Sequence, residues 1–177
     1  MWSIYNKSLE NFPWTTIMSQ TGFMYGVGDT LAQSIERYQM ETPYKGYSYE
    51  RTLILAGFGA FNAGPLMKIW YKFLDKSFGT ETNFKSGFKK MAMDQILFAP
   101  IFLLDFLVMT EIIKHRSFTT VNEKIEKDYY DIMVTNYKIW PIVQLVNMSL
   151  VPLNYRILVI NIVAVMFNTY LSYRINN

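Results

Sequence analysis

The sequence has no cysteine, which excludes a disulfide scaffold, a thiolate nucleophile, a cysteine-ligated zinc site and an iron–sulfur cluster together. It has one histidine, His115, set between Lys114 and Arg116. A Ser-His-acid triad would depend on that single ring, and no G-x-S-x-G elbow accompanies it. No histidine pair at metal-binding spacing, no phosphate loop and no haem-attachment motif occurs, and Gly57-Phe-Gly59 followed by Gly64 has the wrong last spacing for a dinucleotide loop. Charge is scarce too. Asp, Glu, Lys and Arg make up 18% of the 177 residues, against roughly 25% in soluble domains, and the net charge of +3 is scattered rather than gathered on a basic face. There is no internal repeat and no low-complexity tract, and the first residues carry neither an apolar signal core nor an arginine-rich presequence. These absences predict a chain that is not an enzyme, carries no cofactor and no metal, and has no nucleic acid as a direct partner.

What is present is apolar and unevenly charged. Hydrophobic residues reach 51% and aromatics 17%. Asn11 to Gly28 is uncharged, as is Thr52 to Met67, and Ile139 to Tyr173 holds Arg156 as its only ionised group. A soluble amphipathic helix places charges on its wet face every few residues, whereas a bilayer core asks for about 20 mostly apolar residues. The pattern predicts an all-α integral membrane bundle: a single membrane domain of about four spans, at about 15–35, 52–73, 91–113 and 153–173. The residues Thr120-Val-Asn-Glu123 read as a capping box that opens an amphipathic interfacial helix over about 121–138. A break is expected at Trp140-Pro141, then a short or partial membrane segment over 142–151, and Pro152 divides it from the last span. Basic residues outside the spans number seven on one side, Lys90 among them, and eight on the other, so loop charge leaves the orientation open.

The polar residues inside these spans are regularly spaced. Gly22, Gly26, Asp29 and Gln33 follow at steps of four, three and four on one helical face, with Gly22 and Gly26 forming G-x-x-x-G. Ala56, Ala60 and Gly64 repeat the small-residue spacing in the second span, so Gly22, Gly26, Ala60 and Gly64 are the expected helix-packing positions. Asp94 and Asp105 lie eleven apart, three turns on an ideal helix, and Pro100 between them predicts a bend. Asn147, Asn154, Asn161 and Asn168 recur every seven residues, with Gln144 three before the first. An ionised side chain at mid-membrane costs about 2.5–3.5 kcal/mol. The expected polar interior therefore consists of Asp29, Gln33, Lys68, Asp94, Gln95, Gln144, Asn147 and Arg156, with Arg156 paired to Asp29 or Asp94. Such a set serves either as a structural core or as a water-filled path.

The motifs taken together resemble the Mpv-seventeen and peroxisomal twenty-two-kilodalton membrane protein family, most closely its mitochondrial, yeast-type branch. The likeness is carried by Trp2 and Tyr5 with Leu9, Pro13-x-x-Thr16, Gly28-Asp29-x-x-Ala32-Gln33, and Asp94-Gln95 with Pro100. It continues through Trp140-Pro141-x-x-Gln144-x-x-Asn147, Val151-Pro152-x-x-x-Arg156 and Asn168-Thr-Tyr-Leu-Ser172. The resemblance implies about four spans in the mitochondrial inner membrane, or alternatively the peroxisomal one. It also implies a channel-like role for small solutes, with membrane-potential and metabolite homeostasis and mitochondrial DNA maintenance as its context. Lys68 stands where the family usually has histidine, Met148 where it has phenylalanine, and Phe167 where it has tryptophan. The partners implied are membrane lipids and either further copies of the chain or subunits of an inner-membrane complex. In that last case the chain is a non-catalytic accessory subunit.

Overall fold

The computed structural model describes residues 2–39, 46–115 and 118–175, with side chains described for 4–37, 46–113 and 119–166. Every regular element among them is a helix. The order is α1 (Trp2–Asn11), α2 (Pro13–Gln39), α3 (Tyr49–Phe58), a π-turn (Gly59–Ala63) and α4 (Gly64–Phe78), then α5 (Phe84–Met93), a second π-turn (Asp94–Phe98), α6 (Ala99–His115), α7 (Phe118–Leu150) and α8 (Leu153–Ile175). Among the described residues two helices are long and apolar enough to cross a membrane, the continuous Tyr49–Phe78 and Phe84–Ile113, and Leu153–Met166 within α8 is apolar as well. These two coincide with the expected spans at 52–73 and 91–113. His115, Phe167 and Asn168 have side chains outside the described set.

The two long helices share a device. Each carries its π-turn immediately before a small residue and a proline, Gly64-Pro65 in one and Ala99-Pro100 in the other. Gly64 N–H reaches back five residues to the Gly59 carbonyl, and Ala99 N–H does the same to Asp94. A proline ring clashes with the carbonyl four residues earlier. One widened turn moves that carbonyl aside, and the helix continues. The extra residue also rotates the remainder of the helix by about 100° relative to an ideal one. Asp94 and Asp105 are therefore offset from the single face that an ideal helix would give them; Asp94 is buried and Asp105 half-buried.

The chain divides into two compact units, Met1–Met67 with Ile157–Asn177, and Lys68–Arg156. In the first unit α2 packs on α3 and its π-turn through small residues. A Cβ added at Gly22 would lie 2.9 Å from the Ala56 carbonyl oxygen and 2.9 Å from Ala60 Cβ, while one at Gly26 would meet Ala56 Cβ at an ordinary 3.6 Å. Gly22 is thus the close approach of the pair. Gly64 lies against Thr21, whose Cβ would be 3.3 Å from a Cβ added at the glycine, and Asn161 of α8 donates to the Thr21 hydroxyl at 3.1 Å.

In the second unit α7 packs against α5 and α6. It runs unbroken from Phe118 to Leu150 with Pro141 inside it, so the expected break at Trp140-Pro141, between an amphipathic 121–138 and a segment 142–151, is not there. Proline removes one backbone bond and costs a helix about 3 kcal/mol. The packed face around Gln144 and Asn147 holds the helix through that loss. Thr120 lies within the first turn rather than capping it, because the helix begins at Phe118. The outer face of this first half is charged. Lys124 and Asp128 pair at 2.5 Å, and the hydrogen bond from Lys124 holds the Asp128 carboxyl below its ordinary range. The heptad of asparagines also fails as a stripe. Asn147 and Asn161 are buried, but Asn154 is exposed just after the interruption at Pro152.

Candidate functional site

The second unit contains a buried polar cluster centred on Asp94, which is 1% exposed. The π-turn turns two consecutive side chains, Asp94 and Gln95, inward. Trp70 Nε1 donates to Asp94 Oδ1 at 2.8 Å, and its indole is stacked between Phe73 and Phe98, at 5.3 and 4.9 Å between ring centres. On the other carboxylate oxygen, Gln95 Nε2 donates at 2.8 Å and Gln144 Nε2 at 3.0 Å. Gln144 also lies within hydrogen-bonding distance of the Tyr71 hydroxyl, at 3.2 and 3.3 Å through its two amide atoms, and its Oε1 accepts from Asn147 Nδ2 at 3.4 Å. Asn136 Nδ2 donates to Gln95 Oε1 at 3.3 Å. All the groups donating to Asp94 in this set are neutral.

The widened turn frees a backbone acceptor as well. With Ala99 N–H committed to Asp94, the Gln95 carbonyl loses its ordinary donor, and the Tyr137 hydroxyl supplies one at 2.9 Å. Tyr129 reaches the Pro100 carbonyl at 3.1 Å. Two tyrosines of α7 thus bond the backbone of the apolar helix around its proline.

A second buried group lies in the same unit. Asp75 Oδ1 accepts from Lys90 Nζ and from Arg156 Nη1, each at 2.6 Å, and Arg156 Nε donates to the Val151 carbonyl at 2.9 Å. Lys90 and Arg156 are fully buried and Asp75 nearly so. Arg156 is therefore paired with Asp75, not with Asp29 or Asp94, and Lys90 is an interior residue instead of a loop charge. Asp75 is the residue that sequence reasoning missed. Its signal was available in the buried stripe Lys68, Tyr71, Asp75 along α4, at steps of three and four.

Asp29 and Gln33 belong to the first unit, where they tie α2 to the start of α3. Gln33 Nε2 donates to Asp29 Oδ2 at 2.7 Å and to the Thr52 hydroxyl at 3.0 Å, and Thr52 Oγ1 donates to the same carboxylate at 2.6 Å. Arg51 Nε lies 2.6 Å from Asp29 Oδ1, and its other nitrogens grip Glu36 at 2.9 and 3.1 Å. The expected polar interior thus falls into three groups: Asp29 with Gln33 in the first unit, and in the second Asp94 with Gln95, Gln144 and Asn147, and Arg156 with Asp75. Lys68 is buried on the α4 face of the second unit.

Residues 111–172 match the Mpv17 / PMP22 family. The chain is 38% identical to the mitochondrial inner membrane protein Mpv17 of Homo sapiens over 175 residues, covering 98% of this chain and 97% of that one. Its likeness to Mpv17 of Xenopus laevis is 37% over 177 residues, 99% and 97% of the two chains. The chain belongs to the Mpv17 / PMP22 family. Protein SYM1 of Saccharomyces cerevisiae is 33% identical over 175 residues, 97% of this chain and 88% of the yeast one. No solved structure matches. With relatives of that name aligned end to end on a chain that bears, among its described residues, two helices long and apolar enough to cross a membrane, this family member is a protein of the mitochondrial inner membrane.

Proposed function

We propose that the chain forms a gated path for small solutes across the mitochondrial inner membrane, with the Asp94 cluster as its closed constriction. The single observation that carries this reading is the contrast between the two buried carboxylates of the second unit. Asp75 is held by two cations on one oxygen, a buried ionic group in which loss of a partner is costly. Asp94 sits in an apolar membrane-crossing helix and is held by an indole and two amides. Amide and carboxylate groups that can exchange partners with a hydrated solute are the chemistry that marks an intramembrane path. The proposed architecture has four crossings, α2 and α8 adding to the two long helices, and the chain acts without catalysis. Membrane-potential and metabolite homeostasis would follow from such a path, and mitochondrial DNA maintenance from metabolite supply.

Reconstitution of the purified chain in planar bilayers tests this. Wild-type protein is expected to conduct, and Asp94→Asn to reduce cation preference while the fold survives. A second reading is a structural accessory subunit of an inner-membrane assembly. The observation in its favour is that the Asp94 cluster is filled by protein atoms. Absence of conductance at every potential from folded, inserted protein, with stable co-migration alongside respiratory-chain subunits, establishes that reading instead.

A further inference from the structure

The turn between α4 and α5 in the second unit combines surplus positive charge with exposed aromatic rings. Lys72 and Lys76 follow one another at four residues on α4, and Lys85 and Lys89 do the same on α5, which places each pair on one helix face. All four are exposed. Glu81, the exposed acid in the turn, accepts from Asn83 Nδ2 at 2.6 Å.

Beneath this collar the charge is also unbalanced. Lys90 and Arg156 share one oxygen of Asp75, and Arg156 Nη2 is buried with no hydrogen-bond partner. Over residues 68–95 with Arg156 there are seven basic side chains against three acidic ones, and the third acid, Asp94, is engaged by Trp70, Gln95 and Gln144. The part of α7 after Lys138 contributes no charge. Among the described residues of this stretch the basic groups outnumber the acidic ones.

We propose that this end of the second unit binds the phosphate-bearing headgroup of an acidic phospholipid through Lys72, Lys76, Lys85 and Lys89. The choice of a lipid over a soluble anion rests on position and on neighbours. The four lysines lie at the adjoining ends of two helices long enough to cross a membrane, where their stems lie along apolar surface and their ammonium groups reach the headgroups. Phe73, Phe84 and Phe88 are exposed between them, as aromatic residues are at a membrane boundary. Basic clusters of this size beside membrane-crossing helices recruit anionic lipid by charge. The site is independent of whether the chain conducts.

The test uses the full chain in a mild non-ionic detergent, with phosphatidylglycerol, phosphatidylcholine and inorganic phosphate as probes. Lipid retention is read by native mass spectrometry and stability by the melting temperature. Phosphatidylglycerol is expected to remain bound and to raise the melting temperature, and phosphatidylcholine to do neither. In K72Q/K76Q/K85Q/K89Q, affinity for phosphatidylglycerol is expected to fall about tenfold or more, with the lipid-free melting temperature unchanged. The comparator K124Q/K127Q, on the charged face of α7, is expected to keep wild-type affinity. If the quadruple variant fails to fold, K85Q/K89Q is read in the same way. Equal retention by variant and wild type, or an equal loss in the comparator, overturns the proposal. Inorganic phosphate at millimolar concentration stabilising as well as phosphatidylglycerol does so too, since the ligand is then a soluble anion.

Discussion

The Tyr137 hydroxyl donates to the backbone carbonyl of Gln95 at 2.9 Å, and this bond replaces one that the π-turn before Pro100 removes. An unsatisfied backbone acceptor within a membrane is costly. Tyr137→Phe is therefore expected to lower stability by about 1 kcal/mol. Thermal melting in detergent checks it, with Tyr130→Phe, an exposed tyrosine on the same helix, as the control that stays at wild type.

The buried group around Asp75 predicts a ranking. Asp75→Asn leaves two interior cations without a carboxylate and is expected to cost about 3–5 kcal/mol. Lys90→Met leaves Asp75 and Arg156 as a neutral pair and is expected to be milder. Asp94→Asn, which removes a charge held only by neutral donors, is expected to be the mildest. Melting temperatures of the three in one detergent decide it, and Lys90→Met equal to Asp75→Asn would contradict the shared-oxygen arrangement.

Two glycines are expected to respond with opposite sign. A Cβ at Gly87 would sit 2.9 Å from the Cα of Ser149, backbone that cannot turn aside, so Gly87→Ala is expected to destabilise by about 1–3 kcal/mol. Nothing lies within 4 Å of a Cβ at Gly57. Alanine there is expected to be neutral, or to stabilise by up to about 1 kcal/mol through helix propensity. Folded yield and melting temperature read both.

The legible part of this molecule was the part written as local spacing. The uncharged stretch at 52–67 and the apolar run at 91–113, interrupted by Asp94, Asp105 and Glu111, marked the two long helices, and the step of four between Asp29 and Gln33 placed both side chains on one face, where they bond each other. Gln144 and Asn147 were singled out, and they do meet, but the link from Gln144 to Asp94 spans fifty residues and no local pattern encodes it. The Arg156 partner was misassigned for the same reason. Asp75 follows a lysine-rich stretch that reads as a helix end, and Lys89-Lys90 reads as a loop, although one of those two lysines is interior. Pro141 misled in the other direction, because a proline's effect depends on the packing around it. The π-turns left a sequence signal that went unused, a small residue and a proline inside an otherwise unbroken apolar run, repeated in both helices.

The shared Asp75 carboxylate has a consequence for how the chain enters the bilayer. A charge carried alone on an apolar helix costs up to about 3 kcal/mol. Asp75 and Lys90 belong to neighbouring helices joined across the short turn at Gly79, whose φ of 85° suits a reversal. Inserted together as a hairpin, they neutralise each other at once, and neither helix waits for a later segment. Arg156, much later in the chain, joins a carboxylate that already has its cation.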